Sequence, residues 1–328
     1  MDTFMAFQLA EYDGAVAGRV ERLSPALLGP GEVTVRIAYA GVNYKDALAI
    51  EGRNRIIRDY PRIPGIDFSG QVLESDDPRY APGDAVVGHG YGIGTTQDGG
   101  YAQLGRFPGD WLHKLPPGIT LREAATLGAA GFTAAYAIDQ MELNGLAPAA
   151  GKVAVTGATG GVAGVAIELL AQAGYHVVAI TGKAQAGDYL RELGAAEVLL
   201  RGDIERGQRP LEKALWAGAV DSVGGEDLAW LTRTMQPGGV IGAFGNAGGA
   251  DLHTTVLPFI LRGVRLLGIN INTPPQVRER VWQRLSEPGR PRHLMRMGRL
   301  IGLADLPQAA RSLLEGRNVG RLVVDLNA

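Results

Sequence analysis

Residues Lys152 to Lys183 read KVAVTGATGGVAGVAIELLAQAGYHVVAITGK, and the order of residue types in this stretch decides the fold. A short apolar run, Val153 to Thr156, has the length and β-branched character of a buried strand. It leads directly into Gly157-Ala158-Thr159-Gly160-Gly161-Val162-Ala163-Gly164. An apolar helix follows to Ala173, and a second strand spans His176 to Thr181. Backbone without side chains can approach a pyrophosphate closely, and a helix start supplies free amides and partial positive charge to meet it. Glycines alone say little, since any tight turn uses them. Here the strand before, the helix after and the strand beyond all stand where a dinucleotide-binding βαβ unit requires them.

The end of the second strand separates two cofactors. Folds that take NAD place an Asp or Glu there for the ribose 2′-hydroxyl, whereas this chain has Thr181-Gly182-Lys183. A hydroxyl and an ammonium suit a 2′-phosphate and no acid repels it, so the expected cofactor is NADPH. Lys183 also has the plainer reading of a surface lysine. Arg201, just past the third strand, reads either as a second cation for that phosphate or as a solvated loop arginine.

Working outward, the chain downstream alternates apolar runs with helical stretches. Val153 to Thr156, His176 to Thr181, Glu197 to Leu200, Gly218 to Ser222, Val240 to Phe244 and Leu266 to Ile271 are six strand candidates. Parallel strands need crossover connections, so this spacing predicts a doubly wound parallel sheet. An Ala-rich helix from about Leu121 to Met141 precedes it. The first third reads instead as β-rich and barrel-like: Glu32 to Tyr39 alternates with period two, and Gly70 to Leu73 and Asp84 to Val87 are short runs among Pro, Gly and Asp. After Pro274-Pro275 a helix at Gln276 to Leu285 leads to a last strand-like run, which either returns to the first domain or extends the second sheet. The expected fold is thus α/β, with residues 1–122 and 276–328 forming a β-barrel catalytic domain and 123–275 the nucleotide-binding domain.

Composition excludes several function classes. At 328 residues the chain has room for two domains with their own cores. Thirty-two basic against 34 acidic residues leave a net charge of −2, without the basic excess that general nucleic-acid binding needs. Cysteine is absent, which removes disulfides, thiolate catalysis and Cys-based zinc sites. The histidines at 89, 113, 176, 253 and 293 are scattered, so no metal is expected. No apolar run is long enough to span a bilayer, and the acidic N-terminal stretch does not read as a targeting peptide. A cytoplasmic protein with no membrane partner is expected.

The combination of Asn43-Tyr44-Lys45-Asp46-Ala47-Leu48-Ala49, Pro64-Gly65-Ile66-Asp67-Phe68-Ser69-Gly70, Gly131-Phe132-Thr133-Ala134, Thr156 to Val162 and Pro258-Phe259-Ile260-Leu261-Arg262 resembles the medium-chain dehydrogenase/reductase superfamily. More narrowly, it resembles the quinone oxidoreductase-like branch and its NADPH-dependent acrylyl-CoA reductase group. The resemblance implies a GroES-like catalytic domain, a Rossmann domain, and reduction of acryloyl-CoA to propanoyl-CoA. It places cofactor contacts at Tyr44, at Thr159, Gly160, Gly161 and Val162, and at Thr181, Gly182 and Lys183 with Arg201. Further contacts fall at Asn246, Ile260, Ile271 and Asn318. Two departures stand out: Ala163 replaces a usual glycine, and Lys183 a common arginine, which keeps charge but loses the bidentate fork. The zinc-dependent branch has a cysteine near Asn43 and a Gly-His-Glu segment where Gly65-Ile66-Asp67 stands here, so metal-free chemistry is implied.

Without a Lewis acid, oxidation of an unactivated alcohol lacks a means to stabilise its alkoxide, whereas reduction of an electron-poor C=C requires chiefly alignment and hydrogen bonds to the thioester oxygen. Tyr44, Asn43 and Asp67 are the candidate catalytic residues. Each has a structural counter-reading: Tyr44 as an aromatic wall, Asn43 with Asp46 as a local backbone fastening, and Asp67 as a turn carboxylate. Arg53, Arg55, Arg58 and Arg62, or Arg290, Arg292, Arg296 and Arg299, could meet the phosphates of a CoA substrate or form solvated faces in an arginine-rich chain. The substrate is then a short enoyl-CoA, with a quinone or general enone as the alternative. A non-catalytic NADPH-binding protein is the reading from another class. A homodimer pairing around Leu266 to Ile271 is the default association.

Overall fold

Asp13-Gly14, both in the left-handed region (φ 50° and 78°), close a hairpin between β1 (Phe4–Tyr12) and β2 (Ala15–Leu23), with Tyr12 opposite Ala15. In this computed structural model, which describes residues 2–286 and 289–327, the hairpin precedes a seven-stranded sheet. Its members are β3 (Val33–Val42), β4 (Asp67–Ser75), β5 (Ala85–His89), β6 (Leu104–Phe107), β7 (Leu112–Lys114), and two strands from the C-terminal tail. Alternating apolar residues of β3, Val33, Val35 and Ile37, are buried in a core that includes Phe68 and Phe107, whose rings stack at 4.4 Å. Burying each such side chain contributes about 1.5–3 kcal/mol.

A second sheet comprises β8 (Lys152–Thr156), β9 (His176–Thr181), β10 (Glu197–Leu200), β11 (Trp216–Asp221), β12 (Met235–Ala243) and β13 (Arg265–Gly268). They are all parallel in the order β10-β9-β8-β11-β12-β13. This is the doubly wound arrangement expected from the sequence, and the order reverses beside β8, where the glycine turn lies. One crossover differs from a regular βαβ unit: between β10 and β11 there is only the 3-10 turn Arg201–Asp203 and irregular chain.

The tail supplies β14 (Gly298–Ile301) and β15 (Arg321–Asp325). β15 pairs antiparallel with β3, Leu322 opposite Val42. It therefore completes the first sheet and does not extend the second. The chain divides into two units: Met1–Ala129 with Asn272–Ser286 and Leu294–Ala328, and Ala130–Ile271 with Glu287–His293. The first division falls inside the helix Leu121–Leu143, one residue past a break at Gly128 (φ 46°, ψ −145°).

Candidate active site

The glycine turn begins where β8 ends. Gly157 has φ 58°, and a Cβ there would stand 2.4 Å from Ser222 Oγ, so both backbone shape and space require glycine. The Ala158 amide donates to Ile180 O and the Gly160 amide to Gly157 O, which folds the turn over the neighbouring strand. The helix Gly161–Gln172 starts behind it with Gly160 at the cap position, and that residue brings no side-chain acceptor to the first-turn amides. Ala163 is buried at 1% exposure, so its extra methyl is accommodated in the helix packing. Beneath the turn, Thr156 Oγ1 donates to Asp221 Oδ1 at 2.6 Å, and Asp221 Oδ2 accepts from the Gly224 amide at 2.9 Å. Burial raises Asp221 above the usual carboxylate range.

The residues expected at the 2′-phosphate come together. Thr181 Oγ1 accepts from the Lys183 amide at 3.1 Å, and Lys183 Nζ donates to Thr159 Oγ1 at 3.0 Å. Arg201 lies against Gly182, with Nη2 3.7 Å from where a Cβ would stand. Its Nη1 is 4.0 Å from Asp227 Oδ2, a long contact that leaves the guanidinium half exposed. Burial lowers the Lys183 ammonium from its ordinary value. Asn246, exposed past the end of β12, belongs to a turn packed on Gly224. Ile260 is 67% exposed in the helix Leu257–Arg262, and Ile271 is half-buried beyond β13. Neither is drawn into the phosphate turn. Asn318 belongs to the first unit, where Nδ2 donates to Gly320 O.

The catalytic candidates gather in that first unit. Asn43 precedes the helix Tyr44–Ile50, and Asp46 Oδ2 accepts from both the Asn43 amide and Asn43 Nδ2 at 2.9 Å. Asp46 Oδ1 accepts from the Ile66 amide at 2.9 Å. Asp67, at the head of β4, accepts from the Gly41 amide at 2.7 Å, Asn43 Nδ2 at 3.0 Å and the Ala129 amide at 2.8 Å. The break at Gly128 makes the last bond possible, because a Cβ on Gly128 would stand 2.5 Å from Asp67 Oδ2. Arg321, 3% exposed at the head of β15, completes the cluster. It donates to Asn43 Oδ1 at 2.8 Å, to Asp67 Oδ2 at 3.3 Å, and to the carbonyls of Val42 and Thr126.

Asn43 and Asp67, expected to act catalytically, thus hold each other and Arg321. Both Nδ2 hydrogens of Asn43 point to carboxylates, so neither is left for a substrate oxygen. Tyr44 is half-buried in the first helical turn, and its hydroxyl has no partner among the described residues. Burial, and then Asp67, push Asp46 up to about 6. Burial also raises the Tyr101 phenol well above its usual value; its hydroxyl donates to Gly41 O at 3.2 Å. Arg321 escaped the sequence reading, though an arginine opening an otherwise apolar strand, Arg321-Leu322-Val323-Val324, signals a buried partner. Among the described residues, no group of three or more His, Asp and Glu is arranged to hold a metal ion. No described helix is long and apolar enough to cross a membrane.

A mainly antiparallel sheet bears a knot of carboxylates, an amide and a buried arginine, and the same chain carries a doubly wound sheet with a glycine turn, the two-unit architecture of an oxidoreductase family. Comparison with known families agrees: residues 29–117 match the alcohol dehydrogenase GroES-like domain, and residues 161–287 match a family described as zinc-binding dehydrogenase. The chain belongs to the medium-chain dehydrogenase/reductase superfamily. It is 46% identical over 320 residues to the acrylyl-CoA reductase AcuI of Ruegeria pomeroyi, covering 97% of each chain. To YhfP of Bacillus subtilis, whose name refers to a quinone oxidoreductase, it is 44% identical over 326 residues, 98% of this chain and 99% of that one. A crystal structure of YhfP with NAD bound superposes with a TM-score of 0.95, covering 99% and 100% of the two chains. The structure of YhdH from Escherichia coli K-12 with bound NADPH gives 0.95 at 43% identity, covering 98% and 100%.

Proposed function

We propose that this oxidoreductase reduces the C=C bond of acryloyl-CoA to propanoyl-CoA with NADPH. The observation that carries the reading is the corner where Lys183 bonds Thr159 and Arg201 lies against Gly182, beside a helix start with no capping side chain. Two cations and a hydroxyl there fit a 2′-phosphate, and the first-turn amides fit a pyrophosphate. The structural relative with NADPH bound, and the acrylyl-CoA reductase among the sequence relatives, support the cofactor and the substrate respectively.

In this mechanism Gly160, Gly161 and Val162 offer backbone amides to the pyrophosphate, while Thr181, Lys183 and Arg201 hold the 2′-phosphate. Asn246, Ile260, Ile271 and Asn318 are further contacts along the cofactor. NADPH, when bound, would supply the hydride that the β-carbon of the activated double bond takes up. The charge that would then develop on the thioester oxygen is proposed to be met by the unengaged hydroxyl of Tyr44, which would also contact the nicotinamide, and a proton from solvent would complete propanoyl-CoA at the α-carbon. Asn43, Asp46, Asp67 and Arg321 fix the helix that carries Tyr44, through bonds to both sides of its first turn. Where the zinc-dependent branch has ligands for a metal, this chain has an amide and a carboxylate tied to a guanidinium.

Reduction of a quinone by the same scaffold is the second reading, favoured by the name of YhfP. Exposed Val256 and Leu261, leading into the edge strand β13, support the expected homodimer. Initial rates of NADPH oxidation with acryloyl-CoA, crotonyl-CoA and 1,4-benzoquinone test the substrate. Fastest turnover of acryloyl-CoA is expected, and negligible thioester turnover beside rapid quinone reduction overturns the proposal.

A further inference from the structure

The segment that leaves the Tyr44–Ile50 helix carries three arginines with nothing to bind. Arg53, Arg55 and Arg58 are all exposed, and their guanidinium groups make no hydrogen bond or ion pair among the described residues. Single arginines such as Arg22, Arg36, Arg122 and Arg299 also show no side-chain partner among the described residues, whereas Arg62 faces Asp98, Arg79 faces Asp77 and Asp110, Arg106 faces Glu74, and Arg206 faces Asp227; the loop is distinct in carrying three within six residues. The nearby acid Glu51 faces Arg311 at 3.7 Å. The loop is nevertheless fastened. The Arg53 amide donates to Leu48 O at 2.7 Å, and Ile57, 3% exposed, is sunk in the core between the arginines. Asn54 and Arg55 both lie in the left-handed region, at φ 60° and 48°. A residue with a Cβ adopts that conformation rarely, and such outliers cluster at active sites and ligand clamps.

The loop is also tethered to the catalytic candidates at both ends. It occupies the interval between Asn43 and Asp67, which Asn43 Nδ2 and Asp67 Oδ2 close at 3.0 Å. We propose that Arg53, Arg55 and Arg58 form the anion subsite that takes the phosphate groups of the CoA moiety. The assignment rests on the acryloyl-CoA reading above and adds to it the part of the substrate that this loop recognises. The second arginine-rich segment is less suited, because its members divide between the two units, with Arg290 and Arg292 in one and Arg296 and Arg299 in the other.

The test compares the parent enzyme with the triple variant Arg53→Ala/Arg55→Ala/Arg58→Ala, using acryloyl-CoA and the phosphate-free acryloyl-pantetheine. The variant is expected to raise KM for acryloyl-CoA about tenfold. The KM values for acryloyl-pantetheine and for NADPH, and kcat, stay at parent values. Added salt is expected to raise the parent KM for acryloyl-CoA and to leave that of the variant nearly flat. An unchanged acryloyl-CoA KM in the variant, or an equal rise for both thioesters or for NADPH, overturns the subsite and leaves the reaction standing. A parent that turns over neither thioester removes the substrate reading, and the subsite with it. Arg55→Gly offers a check independent of the charge series: relief of the left-handed strain should hold or raise Tm while KM for acryloyl-CoA rises, and a lowered Tm with parental KM contradicts a functional origin of the strain.

Discussion

The glycine turn of the nucleotide-binding unit and the carboxylate knot of the other unit are both polar places in apolar surroundings, but they are finished differently. At the turn, Gly160 brings no side-chain acceptor to the helix start, and Lys183 and Arg201 stand beside a glycine that leaves them room. At the knot, each oxygen of Asp46 and Asp67 accepts from an amide or a side-chain donor, and Arg321 fills what remains. On the proposed reading the open arrangement is completed by the cofactor. The closed one is complete already, and so serves to hold something else in place. On the proposed reading the closed network is a scaffold and the reacting group is Tyr44 beside it.

The contrast can be broken most severely at Asp67. Asp67→Asn leaves Arg321 as an uncompensated buried cation and sets an amide donor against the Ala129 or Gly41 amide. A loss of about 3–5 kcal/mol of unfolding free energy is expected, measured by denaturant titration. A variant within 1 kcal/mol of the parent would show that the knot is not a closed unit. At the open site, Lys183→Ala with Arg201→Ala should weaken NADPH binding about a hundredfold by calorimetry and leave NADH unchanged. Equal weakening of both cofactors would detach these cations from the 2′-phosphate. Tyr44→Phe sharpens the division between scaffold and reacting group: kcat should fall about tenfold with Tm preserved, while an unaltered kcat makes Tyr44 a wall only.

The smallest expected effect is a pH dependence of stability. Burial presses His89 well below its ordinary range and brings His113 down to about 4. In the unfolded chain both titrate near 6.5. Between about pH 6.5 and 4 the unfolded state therefore binds more protons, and their contribution to stability is lost as pH falls through that window. Asp46 acts in the opposite sense: raised to about 6, it favours the folded state at low pH and loses that contribution as pH rises toward 6. His113→Gln should accordingly reduce acid destabilisation between pH 7 and 5 by about 1–2 kcal/mol. An unchanged slope would place the acid sensitivity elsewhere.

What the sequence disclosed follows from how local each signal is. The βαβ unit was legible because its strand, glycine turn and helix are contiguous: His176–Thr181 and Glu197–Leu200 are strands at the very residues expected. The hairpin of β1 and β2 went unread, although Asp13-Gly14 is a strong short-range turn signal. The clustering of Thr159, Lys183 and Arg201 required only that neighbouring parallel strands end together, which the sheet order guarantees. Arg321 could not be placed in the same way. It reaches Asn43 and Asp67 across 278 and 254 residues of sequence, and only the return of β15 to β3 brings it there. The break at Gly128 was equally hidden, because an Ala-rich helical stretch reads as continuous until the Asp67 carboxylate is known to lie against it.

One assay tests the central reading most directly: purified protein, NADPH and acryloyl-CoA in the presence of a strong chelator, followed at the absorbance of the reduced nicotinamide with the product identified by mass. Stoichiometric conversion to propanoyl-CoA at a rate untouched by the chelator is expected. Loss of activity in the chelator, restored by zinc, or consumption of NADPH with a quinone but none with the thioester, would contradict it.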